Sequence, residues 1–385
     1  MGLLLLLGSS GYDVRSQLFA AGEAGAWYDP SDLSSMWQDA AGNTPVTATS
    51  DPVGLILDKS RSAPSMGANQ ITNGGFATDS GWTKGTGWSI GSGVATKAAG
   101  SASALSQAQT ITAGRYYIIT YTATRTAGSF NVQFTGGSTV AGTLRSTSGT
   151  FTDIITAVSG NNAFEINTDA SFAGTIDNVS VKVLPAGNHA YQDTSGSRPS
   201  LNISSGLYAL SFDGSDDFLR TNAVDFSATD KISVLAAARK LDTTARMICE
   251  LGPSLTTSAG SFYFLSGQNA TDGWWAASRG TAASVVGHAT SSSSAAAETA
   301  VVSMNHNISG DLTAIRKNGV AGSDATADKG AGNFRNDVLY IGRRAGTSLP
   351  FNGLLYQMVV RGALTSGGTL SNAERYLAQK SGVSI

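Results

Sequence analysis

GAWYDPSDLSSMWQDAAGNTPV, residues 25–46, sets Trp27, Tyr28 and Trp37 among Asp, Pro, Ser and Gly. Apolar residues at this spacing do not follow the 3.6-residue period of a helix. Short strands joined by tight turns suit the stretch better, because Gly and Asn accept positive φ and Ser, Thr and Asp bond to nearby backbone. Two of the six tryptophans fall before residue 40, so the segment carries core or interface weight and is not a linker.

The rest of the chain has the same texture. Of 385 residues 46 are glycine, and 14% are charged, against about 25% in an average soluble domain. Few charges leave few helical surfaces laced with ion pairs, and the composition reads as all-β. The length suffices for two or three domains at about 100–200 residues each. Twenty-five basic and 27 acidic residues are interspersed, for a net charge of −2. Without a basic block or stripe there is no electrostatic footprint for nucleic acid. Cys249 is the one cysteine, which excludes an intrachain disulfide framework and any cysteine-based zinc motif.

MGLLLLLGSS lacks a positive n-region, and Leu3, Leu4, Leu5, Leu6 and Leu7 make an apolar run shorter than the roughly 7–15 residues of a signal core. It is also far short of the ~20 residues of a membrane span. The expectation is a docking strand within an N-terminal peptide, residues 1–21. From residue 71 the runs RYYIITYTATRT, SFNVQFTGG, GTFTDIITAVS and IDNVSVKVLPAG alternate with turn signals. Strands at this spacing predict a sandwich or jelly roll. After Gly187 ten further strand candidates follow. The chain then closes with LSNAERYLAQKSGV, where Ser371 and Glu374 predict a capping box, Leu370 a staple and Gly382 the stop.

The combination WYDPSDLSSMWQD, PVGLILDKS, GNHAYQDTSGSRPSL, LSFDGSDDFL and IGRR…FNGLLYQMVVRGA with AERYLAQKSGV resembles phage and prophage virion proteins carrying a concanavalin A-like (laminin G-like) sandwich. In that family LDKS and GNHA form one continuous run; here LDKS ends at Ser60 and GNHA begins at Gly187. The segment between, from NGGFATDSGW to IDNVSVKV, resembles carbohydrate-binding modules with a galactose-binding-like jelly roll. The resemblance therefore implies two β-sandwich domains, one inserted in the other. Residues 22–60 and 187–385 form the host, residues 61–186 the insert, and a short helix ends the chain. Insertion at an exposed turn is tolerated because it leaves the host core unbroken.

Glycosidases need two carboxylates about 5–10 Å apart, and no alternating acidic run supplies them. Glu165, Glu250, Glu298 and Glu374 are scattered, and Asp213, Asp216 and Asp217 read as a solvated turn. His189, His288 and His306 have no metal-ligand spacing. The expectation is a protein that is not an enzyme. Sugar binding calls for aromatic faces with a few placed polar groups, which singles out Trp88, Trp274, Trp275 and Tyr263. Trp274 and Trp275 are adjacent, so on a strand they point to opposite faces. Related jelly rolls hold a structural calcium near the first and last strands; Asn73 and Asp177 match those positions, though one Asp supplies only one or two of roughly six to eight oxygens.

The function these readings imply is that of a virion surface protein, a fibre or decoration subunit assembled in the host cytoplasm. Residues 1–21 would dock on other virion proteins, and the lectin-like domains would contact host glycans. A homo-oligomer is expected, a trimer if the protein is a fibre. The alternatives are a purely structural decoration protein without a ligand and a secreted polysaccharide hydrolase. All of Trp88, Trp274 and Trp275 buried, or all at subunit interfaces, would favour the structural alternative, and an exposed aromatic platform the adhesin.

Overall fold

The computed structural model describes residues 13–61, 66–267, 273–282, 288–292 and 295–385. Its fold is all-β: the period-2 runs become strands in four antiparallel sheets, accompanied by two α-helices among the described residues. Contacts divide the described chain into two units. One comprises Met1–Gln38, Pro45–Ser62 and Gly187–Ile385, the other Asp39–Thr44 and Ala63–Ala186.

In the first unit the opening motif enters both sheets. Strand Gly25–Tyr28 pairs with strand Asn352–Arg361 in an eight-stranded sheet, and Met36–Trp37 pairs with Leu55–Ile56 at one end of a nine-stranded sheet. Glycine is required at residue 25, where a Cβ would lie 2.0 Å from the Val360 carbonyl oxygen. Alternation sends Ala26 and Tyr28 into the core between the sheets and Trp27 to a cluster on the outer face. Each fully buried large apolar side chain of that core contributes roughly 1.5–3 kcal/mol, which accounts for aromatic residues so early in the chain.

The two halves of the interrupted run meet in space. Leu55–Ile56 pairs antiparallel with Ala190–Tyr191. The buried Asp58 carboxylate accepts from Trp27 N at 2.8 Å, Ser60 N at 2.8 Å, Ser60 Oγ at 2.9 Å and Asn188 N at 2.7 Å. The Asp58 backbone N–H donates to His189 Nδ1 at 3.0 Å, so this histidine is buried and partnered.

The expected docking strand at Leu3–Leu7 lies outside the described residues. Val14–Leu18 is a short helix, α1, started by Asp13 accepting from Arg15 N at 3.0 Å. Its Val14 and Leu18 pack, with Phe19, against the C-terminal helix α2, Gly367–Ser381. One expectation about the other end needs correction: Ser371 is not the cap of α2. The helix begins four residues earlier, with Ser366 at the N-cap position, and Ser371 Oγ donates to Gly367 O within it. Glu374 is buried and accepts from Ser303 Oγ at 2.6 Å and Arg316 Nε at 2.8 Å, partners on other elements. Gly382 does end the helix, in the left-handed conformation.

The second unit packs two five-stranded sheets. The long strands Tyr116–Ala127 and Ala173–Leu184 pair along most of their length. Tyr117, Ile119 and Tyr121 enter the core with Phe130, Phe134 and Phe164, while Ile118 on the opposite side of the strand is also buried. Residues 39–44 belong to this unit by contact: Lys182 Nζ donates to Ala41 O, Gly42 O and Asn43 Oδ1 at 2.7–3.1 Å.

Candidate functional site

Of the four aromatic candidates, three are buried. Trp88 opens a strand whose side chains alternate in and out, and its ring lies inside the second unit's core at 7% exposure. Trp274 is fully buried in the first unit's core; its Nε1 donates to Glu298 Oε2 at 2.9 Å. Tyr263, at 3% exposure, bonds His288 Nδ1 through its hydroxyl at 2.7 Å. Trp275 points the other way from Trp274, as adjacency requires. It is half-buried, 4.8 Å from the His288 ring in a small cluster with Tyr263 and Leu265. No aromatic residue among the described ones is fully exposed, and of the four candidates Trp275 keeps part of its surface accessible. The buried rings face cores because neighbouring strands and loops cover both sides of the strands that carry them.

Asn73 and Asp177 lie where the opening turn meets the last strand, with Val179 N donating to Gly74 O at 2.9 Å. The Asn73 side-chain amide donates to Thr78 O and Ser80 O at 2.7 and 2.8 Å, and Asp177 Oδ1 accepts from Asn178 N at 2.6 Å. These bonds brace the turn. A group of three carboxylates does occur elsewhere, in Asp213, Asp216 and Asp217, with ligand atoms within 4.8 Å of one another. Its oxygens already serve the turn: Asp217 Oδ2 accepts from Asp213 N, Asp213 Oδ1 from Ser215 N, and Asp216 Oδ2 from Ser197 Oγ, at 2.6–3.0 Å. Counted at one ligand atom per residue, the group supplies three of the six to eight oxygens calcium takes.

The four glutamates are likewise engaged. Glu165 accepts from Gln133 Nε2, Glu250 from Arg344 Nε, and Glu374 from Arg316, at 2.8–2.9 Å. Glu298 accepts from Lys317 Nζ at 2.8 Å as well as from Trp274. Burial raises the Glu250 carboxyl above its ordinary range, against the opposing pull of Arg344.

The arrangement best suited to holding a ligand is one the sequence reading missed. At the edge of the second unit a groove of about 600 Å³ is walled by Gln70, Thr72, Trp82, Thr83, Gln107 and Gln109, with neighbouring residues. Gln107, on strand Ser103–Ala108, is buried and fixes the floor. Its Nε2 donates to Thr72 O at 3.0 Å and Gly81 O at 2.9 Å, and its Oε1 accepts from Thr72 N at 3.0 Å and Gln109 Nε2 at 2.7 Å. Gln70 Oε1 is buried without a partner. Trp82 closes the inner end, its Nε1 donating to Asn73 O at 3.1 Å. No charged side chain lines the groove; amides and hydroxyls at these positions suit a neutral, hydroxyl-bearing ligand. The available signal was Gln107 and Gln109 alternating onto one face, but it is the side-chain bonds of Gln107 to the Thr72 backbone, 35 residues away, that set Thr72 beside them.

No protein-family model and no curated protein matches the chain. Among solved structures it is similar to the NanB sialidase of Streptococcus pneumoniae, at 12% identity and TM-score 0.32 over 42% of this chain and 27% of that one. It is similar to the receptor-binding domain of botulinum neurotoxin D, at 11% identity and TM-score 0.33 over 49% of this chain and 50% of that one. It is also similar to an arabinofuranosidase complexed with arabinofuranosyl-alpha-1,2-xylobiose, at 14% identity and TM-score 0.39 over 68% of this chain and 62% of that one. The chain thus spans less than two thirds of each of these proteins, and its own sheets carry the assignment of fold.

Proposed function

We propose that the chain is a non-enzymatic surface protein of a phage particle, assembled in the host cytoplasm, whose inserted sandwich binds uncharged glycans. The observation that carries the glycan reading is the groove at Gln70, Gln107 and Gln109, a neutral recess floored by a fully bonded amide. A side chain held by four hydrogen bonds is pre-organised, and recognition then costs little ordering entropy. The sequence resemblance of the opening motif and the split LDKS…GNHA run supports the virion setting. The engagement of Glu165, Glu250, Glu298 and Glu374 in structural bonds supports a role without catalysis.

Binding of the full chain to an array of neutral glycans tests this, with Gln109→Ala and Gln107→Ala alongside. Binding should weaken about tenfold or more in both variants, since each removes or releases an amide from the wall. Antibody labelling of purified particles tests the virion placement, which unlabelled particles would exclude. For the structural-decoration reading, Trp88 and Trp274 are buried but Trp275 is half-buried, so the burial of all three that would favour it is not met; labelled particles that bind no glycan would establish it.

A further inference from the structure

The outer face of the eight-stranded sheet is covered by α2 only in part. Ala209, Leu235, Ala237, Val301 and Tyr356 cluster with Leu370, Ala373 and Leu377 of the helix. Strand register carries the same face past the helix end: Ser211 stands opposite Leu354, Leu354 opposite Arg239, and Arg239 opposite Thr299. Directly opposed residues share a face, and Arg239 follows Ala237 by two positions, as Thr299 precedes Val301. Gly382 stops the helix short of this row, and a Cβ there would come within 3.1 Å of Leu207 Cδ1.

What remains is a pocket of about 540 Å³, within the range of small-ligand sites. Its wall combines hydroxyls of Ser204, Ser211 and Thr299, the Asn202 amide and the apolar surfaces of Leu354 and Tyr356. Arg239 is the one charged residue lining it, and no carboxylate does. Arg239 Nε is buried with no hydrogen-bond partner. A guanidinium whose buried Nε has no partner is matched by a planar carboxylate, which the fork binds through paired charge-assisted bonds. The end of α2 contributes roughly half a negative charge, so the wall keeps a net positive charge of about one half. That balance suits one carboxylate better than a phosphate dianion.

We propose that this pocket binds an acidic sugar residue: carboxylate on Arg239, ring hydroxyls on the serine, threonine and asparagine groups, and C–H faces on Leu354 and Tyr356. The site belongs to the first unit and is independent of the neutral-glycan groove.

Titration of the full chain with glucuronate and with N-acetylneuraminate, followed by ligand-detected NMR, tests the proposal; glucose and inorganic phosphate serve as controls. At least one acid sugar should bind with glucose silent, and Arg239→Ala should weaken it about tenfold or more. Arg239→Lys should recover part of that loss, and Gln107→Ala should leave it unchanged. The two acids distinguish a uronic from a sialic source of the carboxylate. Equal binding by wild type and Arg239→Ala, binding of neither acid, or phosphate binding as well as the acids would overturn the assignment. Thermal unfolding of each variant checks that the fold persists; where Arg239→Ala fails that check, Arg239→Gln, which keeps much of the side chain's bulk, supplies the same comparison.

Discussion

In FDGSDDF the Asp217 side chain is buried, at 7% exposure, at a turn where Asp213 and Asp216 bring two further carboxylates within 4.8 Å. Burial first, and the charges of Asp213 and then Asp216, push its carboxyl up to about 7. An unfolded aspartate titrates near 3.9, so from about pH 4 to about pH 7 the folded state binds more protons than the unfolded one. Stability from this group is therefore fully present below pH 4 and falls as pH rises through 7, beyond which the curve is flat. His306 works in the opposite sense: burial and then Lys329 lower it to about 3, and stability from that group falls as pH drops from about 6.5 towards 3. Urea denaturation of wild type and Asp217→Asn across pH 4–8 separates the two. The variant should gain on wild type steadily up to pH 7, and parallel curves would show that Asp217 ionises as it does in solvent. The D-G and S-D-D dipeptides made the turn legible in sequence. The burial was not, because it depends on distant groups such as Ser197 and Arg343, which bond to Asp216 from outside the turn.

At the scale of elements, strands were readable because alternation is a local signal, and the burial of 117–121 on both sides of one strand matches a run that is apolar on both faces. Faces covered by distant elements were not. Adjacency put Trp274 and Trp275 on opposite sides, but which ring entered the core depended on the sheet opposite. Helix α2 shows the same division. Its Gly367–Gly368 start is hidden, since glycine is a poor helix former, and Glu374 three residues after Ser371 imitates a capping box. Its true partners, Arg316 and Ser303, lie 58 and 71 residues away. The two explanations of Glu374 predict different mutational profiles. A cap would make Ser371→Ala cost about 1 kcal/mol. The observed bonds make that substitution nearly neutral, within about 0.5 kcal/mol, as for a solvated helix position. They make Glu374→Ala cost about 2 kcal/mol, less than a fully buried pair because the Arg316 side chain is about one third exposed. Chemical denaturation of the two variants checks both figures, and comparable losses would restore the capping box.

For the whole molecule, the question is whether the host sandwich contains everything it needs once the insert is removed. The contacts on either side of the interruption indicate that it does. Leu55–Ile56 and Ala190–Tyr191 pair directly, and Asp58 bonds to Ser60 before the break and Asn188 after it. Gly187 sits so near Asp58 that a Cβ on it would lie 2.9 Å from the carboxylate. A chain in which Ser60 is joined straight to Gly187 therefore closes a short connection between strands that are already neighbours, and a shorter loop lowers the entropic cost of closure. The insert has a core of its own, built on Tyr117, Phe130, Phe134 and Phe164, so the separate 63–186 chain should also fold, although it loses the Lys182 bonds to residues 41–43. Circular dichroism melts of the two pieces should each show one cooperative transition, at temperatures matching two transitions of the intact chain within a few degrees. The 63–186 piece should keep neutral-glycan binding and the joined host should keep the Arg239 pocket. A joined host without a cooperative transition would mean that the insert stabilises the strands it separates, and the split motif would then be a dependency instead of a tolerated interruption.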